Sequence, residues 1–251
     1  MRKLIFILLL FTFACKTQHK TIIPSWIPYN ESEELAANAN HESQKMRFKL
    51  IQSRILDKNE IWKNVANQIK DFSEKDYQRL LPFILEQDIP TIQTHIQSGI
   101  LSYKALTQWY LYRIVKYEND RDKTLNAIVS INPNAVEEAK KRDKHKSSAN
   151  HLIYGMPILL KDNTNAEGMS TTAGTHLLRN NKATDAFIVA GIKENGGIIL
   201  GKTNLSEWAN FLCLDCPNGY SAFGGQTLNP YGRKIFDTGG SSSGSGAAIA
   251  A

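Results

Sequence analysis

The sequence predicts an α/β layered domain preceded by an all-helical extension, and three observations carry that expectation. Between residues 41 and 115, apolar residues recur at helical spacing. From Asn126 onward, short apolar runs alternate with helical stretches, the arrangement that builds a sheet with helices packed on it. The chain has 251 residues, 42% of them hydrophobic, which is enough to bury one sizeable core or part of a larger one.

The opening stretch, MRKLIFILLLFTFAC over residues 1–15, is set apart from that fold. Arg2 and Lys3 precede an apolar run from Leu4 to Phe13, too short for a stable membrane-spanning helix and suited to a signal peptide. Ala14-Cys15 is similar to a bacterial lipobox, in which the cysteine is lipidated and becomes the mature N-terminus, although Phe13 is bulkier than usual there. An acylated Cys15 would hold the protein at a membrane on the exported side. A plain signal peptide with an incidental cysteine is the alternative. Residues 16–40 are polar, broken by Pro24 and Pro28, and read as a tether.

Residues 41–91 form the expected helical extension. Phe48, Ile51 and Ile55 make one stripe, and Ile61, Val65, Ile69 and Phe72 another. Ser73 followed by Asp76 has the form of a capping box. Ile92 and Ile96 lie on a helix stopped by Gly99, and a restart at Ser102 puts Leu106, Tyr110 and Ile114 on one face. None of this stretch carries recognisable chemistry.

The α/β part follows. NAIVSI, from Asn126, reads as a strand, and Asn132-Pro133 caps a helix running to about Lys146. MPILLK is a second strand, its apolar run implying burial on both faces. Thr184-Asp185 opens a helix that ends at Gly196, and GGIILGK is a third strand. The earlier helices would wrap one side of this sheet.

Charge excludes some functions. The net charge is a modest +6, and its one dense run, KKRDKHK from Lys140 to Lys146, ends a helix where cations suit the macrodipole. No aromatics interleave with it, so a nucleic-acid surface is not expected. Cys213 and Cys216 form a lone C-x-x-C with no second pair and no histidine close downstream, so no metal is expected. A local disulfide and an unbonded loop pair both remain open.

Two places hold candidate chemistry. Lys161 directly follows PILL, at the carboxyl end of a strand, where open α/β sheets place ligands. A lysine there is readily desolvated, which favours the neutral amine, although a lysine ending a strand is ordinarily surface charge. The second is DTGGSSSGSGAAIAA, from Asp237 to Ala251, preceded by a strand-like KIF. Its composition suits a linker, yet it runs into a small, apolar, helix-forming segment, and small residues allow close backbone approach. No Gly-Lys-Ser/Thr follows, which excludes a phosphate loop. Residues 240–244 also fit G-x-S-x-G, which would make Ser242 the nucleophile of an esterase.

Together GMPILLKDN, GGIILGKTNLSEWANF, GGQTLNP and GGSSSGSGAAIAA resemble successive blocks of the amidase signature family, closest to the bacterial peptide amidases. The resemblance covers residues 92–251 and implies the N-terminal half of an α/β domain with a mixed sheet flanked by helices. It also implies a Ser-Ser-Lys triad without cofactor or metal. Lys161 matches the triad lysine, and Ser241 matches the bridging serine that follows a cis peptide. The nucleophile belongs to a later T-D-x-G-x-S type block, so it is expected beyond Ala251. The implied reaction is hydrolysis of a small amide or peptide amide, including C-terminal peptide amides, by an exported, lipid-anchored enzyme. The rival expectations are an inactive lipid-anchored surface protein on the same scaffold and the Ser242 esterase.

Overall fold

A computed structural model describes residues 21–147 and 150–251. The signal-peptide and lipid-attachment expectations, Cys15 included, lie outside the described residues. The chain begins with helices α1 (Ser32–Asn38), α2 (Lys58–Ala66), α3 (Glu74–Leu80), α4 (Ile89–Gln97) and α5 (Tyr103–Glu118). Strand β1 (Ile128–Ile131), helix α6 (Ala135–Lys144), strand β2 (Pro157–Lys161), helix α7 (Phe187–Glu194) and strand β3 (Ile198–Thr203) follow. A short hairpin of β4 (Tyr220–Ser221) and β5 (Gly225–Gln226) precedes the last helix, α8 (Ser243–Ala250).

The sheet is mixed, with order β1-β3-β2: β3 runs antiparallel to β1 and parallel to β2. Every residue of β3 is buried, as a central strand covered on both faces requires. Strand β2 differs from expectation. It pairs only with β3 and lies at the sheet edge, so most of its residues are half-buried rather than sealed on both faces.

The helical signals hold where capping chemistry supports them. The Ser73 hydroxyl accepts from the Asp76 amide while the Asp76 carboxylate accepts from the Ser73 amide, closing the box that opens α3. Gly99, at φ +79°, ends the α4 segment, and the Ser102 hydroxyl caps α5 by accepting from the Ala105 amide. Helix α5 is buried on more than the expected stripe: Leu106, Trp109, Leu111 and Val115 all enter the core, whereas Tyr110 and Ile114 are half-buried. One hydrophobic cluster joins Ile61, Val65, Ile69 and Phe72 to Trp109 of α5 and to Ile198 and Leu200 of β3. The early helices are thus welded to the sheet.

Four expectations need correction. Phe48, Ile51 and Ile55 do not share a helix; beyond a short 3-10 turn at Gln44–Met46, the chain stays irregular until α2. The Ile51 carbonyl, which a helix would use internally, accepts instead from the Gln226 amide (2.9 Å) and the Asn126 side chain (3.0 Å). Residues 21–40 are docked rather than free: Trp26 is buried, and the Asn59 amide holds its backbone at 2.8 and 3.1 Å. The helix expected from Asn132-Pro133 starts at Ala135, because Asn132 turns back to bond the Ile199 carbonyl (2.8 Å). The helix expected from Thr184-Asp185 starts at Phe187, because the Asp185 carboxylate is taken by Lys193 at 2.8 Å and by the Glu167 amide.

Candidate active site

Lys161 ends β2, and its register partner Thr203 ends the parallel neighbour β3. Both therefore project from the carboxyl edge of the sheet, where α8 also begins: the Thr203 and Ser245 hydroxyls lie 2.8 Å apart. The first turn of α8 docks on Asn204, just past β3, with the Gly244 amide donating to the Asn204 carbonyl at 3.0 Å. Only glycine permits that approach, since a Cβ at position 244 would lie 2.4 Å from the Asn204 carbonyl oxygen and 2.8 Å from that of Ala127.

This docking brings Ser241 to Lys161. Lys161 Nζ and Ser241 Oγ are 2.6 Å apart, although 80 residues separate them in sequence. The Ser241 carbonyl accepts from the Ser206 amide (3.1 Å), and the Gly240–Ser241 peptide is cis. Burial lowers the Lys161 amine below the ordinary lysine range, and it makes no ion pair among the described residues. A neutral amine facing a serine hydroxyl can accept its proton.

Beneath this pair lies a charged cluster that the sequence pattern does not announce. Asp162 is buried; its carboxylate accepts from the Thr172 hydroxyl and lies 3.9 Å from the buried Lys202 ammonium. Lys202 also donates to the Thr164 carbonyl (2.5 Å) and to the Thr171 hydroxyl (3.1 Å). Burial pushes the Asp162 carboxyl up to about 6, even though Thr172 and Lys202 pull it down. The Asp162 carbonyl accepts from the Ala173 amide at 3.0 Å, so the cluster fixes the 171–174 turn beside the pair. A lysine in the middle of an apolar strand, as in IILGKT, is the signal that could have found it.

The remaining candidates fall elsewhere. Ser242 is exposed at the start of α8 and makes no side-chain cap bond. KIF, expected as a strand, is a turn, so Ser242 lacks the strand-to-helix elbow that an α/β-hydrolase nucleophile occupies. Cys213 and Cys216 are disulfide-bonded, on a loop that exposes Phe211, Leu212 and Leu214. Among the described residues no cluster of three His, Cys, Asp or Glu could hold a metal ion, and no helix is long and apolar enough to cross a membrane.

A lysine–serine contact thus stands at the carboxyl edge of a mixed sheet, on an α/β scaffold, with a glycine-cradled helix start docked against it. The pattern that defines the amidase family matches residues 105–251. The fold is similar to the crystal structure of an amidase family protein from Bacillus anthracis str. Ames, with TM-score 0.72 and 42% identity over 78% of this chain and 39% of that one. It is also similar to the native peptide amidase of Stenotrophomonas maltophilia, with TM-score 0.63 and 43% identity over 66% of this chain and 34% of that one. By sequence it is 39% identical over 144 residues to one subunit of the glutamyl-tRNA(Gln) amidotransferase of Methanocaldococcus jannaschii, 57% of this chain and 31% of that protein. The chain belongs to the amidase family. It spans between 28% and 39% of the length of the curated relatives that it matches.

Proposed function

We propose that this chain supplies the base and the relay of a Ser-Ser-Lys amidohydrolase acting on a small carboxamide, with C-terminal peptide amides as the substrate class. The observation that carries the reading is the 2.6 Å contact between Lys161 and Ser241 at the sheet edge, with burial holding the amine toward its neutral form. Similarity to a peptide amidase supports the substrate class. A serine hydroxyl attacks an amide only when a base removes its proton. Ser241 takes the proton of the nucleophilic serine and passes its own to Lys161. The serine oxygen bonds the amide carbon, the C–N bond breaks, and the departing nitrogen regains a proton through Ser241 from the Lys161 ammonium. Water then cleaves the acyl-enzyme by the same route in reverse.

In this reading the nucleophile lies in a segment beyond Ala251, consistent with the share of its relatives that the chain spans. The same proposal places the protein on the exported face of a membrane, anchored through Cys15. What supports that placement is the sequence itself: the Arg2-Lys3 start, the apolar run to Phe13 and the Ala14-Cys15 junction.

The test is hydrolysis of a peptide amide by this chain joined to a segment that carries the T-D-x-G-x-S type block. Lys161→Ala and Ser241→Ala should each abolish turnover of the folded protein, and Ser242→Ala should leave it measurable. Turnover that survives both Lys161→Ala and Ser241→Ala would overturn the proposal.

A further inference from the structure

We infer that Asn218 is a positioning residue for Ser241: its side chain and carbonyl clamp the 237–240 arm and so set the reach of the Ser241 hydroxyl to Lys161. The inference rests on the relay proposed above and concerns how that relay is held.

Ser241 needs a clamp because secondary structure supports it from one side only. Downstream it is followed by α8, docked on Asn204. Upstream, residues 227–242 contain neither helix nor strand. A contact of 2.6 Å leaves room for roughly half an ångström of drift before a hydrogen bond to an amine weakens. An irregular arm does not hold that tolerance unaided.

Asn218 grips this arm at three successive places. Its Nδ2 donates to both oxygens of Asp237, at 3.1 and 2.9 Å. Its carbonyl accepts from the Thr238 hydroxyl at 3.2 Å. Its Oδ1 packs against Gly240 so closely that a Cβ there would approach to 2.7 Å. Asp237 carries the grip onward by accepting from the Gly239 amide at 2.9 Å.

The clamp is itself anchored. The Asn218 carbonyl also accepts from Gln226 of β5 at 2.6 Å, and its Oδ1 accepts from Asn210 at 3.0 Å. Its neighbour Gly219 donates to the Ser206 hydroxyl at 2.9 Å, and the Ser206 amide donates to the Ser241 carbonyl. Hydrogen bonds therefore run from the hairpin, through Asn218 and Ser206, to both sides of the cis peptide. Asparagine suits the position because one short side chain must donate to a carboxylate and accept from an amide at once. Alanine drops both functions, and aspartate would set a second carboxylate against Asp237.

The experiment measures the pH midpoint of Lys161 acylation by an amine-reactive anhydride, read by mass spectrometry on the full 251-residue chain. Releasing the arm uncovers the Lys161 amine, so in N218A the midpoint should rise toward that of a free lysine. Well below both midpoints, the neutral fraction then falls about tenfold for each unit of rise. N218D should behave likewise, and N218D/D237N, which exchanges donor and acceptor across the same contact, should return the midpoint to that of the wild type. A role confined to stability would lower the melting temperature without moving the midpoint in the folded variant. A folded N218A with the wild-type midpoint overturns the inference; if N218A does not fold, failure of the double variant to restore the midpoint overturns it. An ordinary lysine midpoint in the wild type overturns the relay and the clamp together, whereas a lowered wild-type midpoint that N218A leaves unmoved removes the clamp alone.

Discussion

Gly244 and Gly246 lie on the same helix, α8, and a methyl group added to each meets opposite surroundings. At 244 the new Cβ would sit 2.4 Å from the Asn204 carbonyl oxygen, 2.6 Å from its nitrogen and 2.8 Å from the Ala127 carbonyl oxygen, all of them backbone atoms. None can swing aside. Ordinary contact begins near 3.4 Å, so the helix must withdraw by about 1 Å, which breaks the 3.0 Å bond from the Gly244 amide to Asn204. Overpacking of this kind costs about 1–3 kcal/mol and the lost hydrogen bond about 1 kcal/mol, so Gly244→Ala should destabilise by about 2–4 kcal/mol. At 246 nothing lies within 4 Å, and the residue is helical. Gly246→Ala should therefore stabilise by about 0.4–1 kcal/mol, by narrowing the unfolded ensemble. Urea titration checks both, with the midpoints moving in opposite directions at unchanged slope. Because the retreat of α8 carries Ser241 with it, Gly244→Ala should also raise the acylation midpoint of Lys161, and Gly246→Ala should not. A Gly244→Ala protein as stable as the wild type would refute the docking of α8 on Asn204.

The other predictions concern charge and anchoring. Burial raises the Asp162 carboxyl from 3.8 to about 6, so between those values the folded state binds more protons than the unfolded one. Its contribution to stability is therefore present below about pH 4 and lost as pH rises to about 6, on the order of 3 kcal/mol in all. The stability difference between wild type and Asp162→Asn, followed by denaturant titration from pH 4 to 7, should change in that direction; a flat difference would reject it. Glu118 accepts from Lys58 (3.4 Å), Thr124 (2.6 Å) and the Ala127 amide (2.7 Å), all buried or nearly so. Glu118→Ala strands the Lys58 charge and should destabilise by about 3–5 kcal/mol, where a loss under about 1 kcal/mol would show the network to be solvated. Cys15→Ser should release the protein from membranes or block its processing, and retention of the wild-type distribution would count against the lipid anchor.

Much of the fold was legible because its signals are local. The Ser73–Asp76 box and the Ser102 cap each depend on atoms a few residues apart, and the alternation of IVSI, PILLK and IILGKT is read within single strands. What escaped depends on long-range partners. Ile51 has helical spacing, yet its carbonyl is claimed by Gln226 and Asn126. Asp185 has the composition of a cap, yet Lys193 takes its carboxylate. The site divides in the same way. Lys161 and Ser241 stand in recognisable blocks, and so do Asp162, Lys202 and Ser206, but those three matter through long-range contacts, as does Asn218, which stands outside the blocks.

The account turns on Lys161 acting as the base through Ser241, and the most direct measurement is the pH dependence of kcat/KM for a peptide amide, using this chain joined to a segment that carries the T-D-x-G-x-S type block. The rate should rise with pH through a single ionisation below 10.5, the value of a free lysine side chain, because burial lowers the Lys161 amine. That midpoint should coincide with the acylation midpoint of Lys161. Lys161→Ala should remove both the limb and the turnover. A rate limb that survives Lys161→Ala, or one that does not coincide with the titration of that amine, would contradict the account.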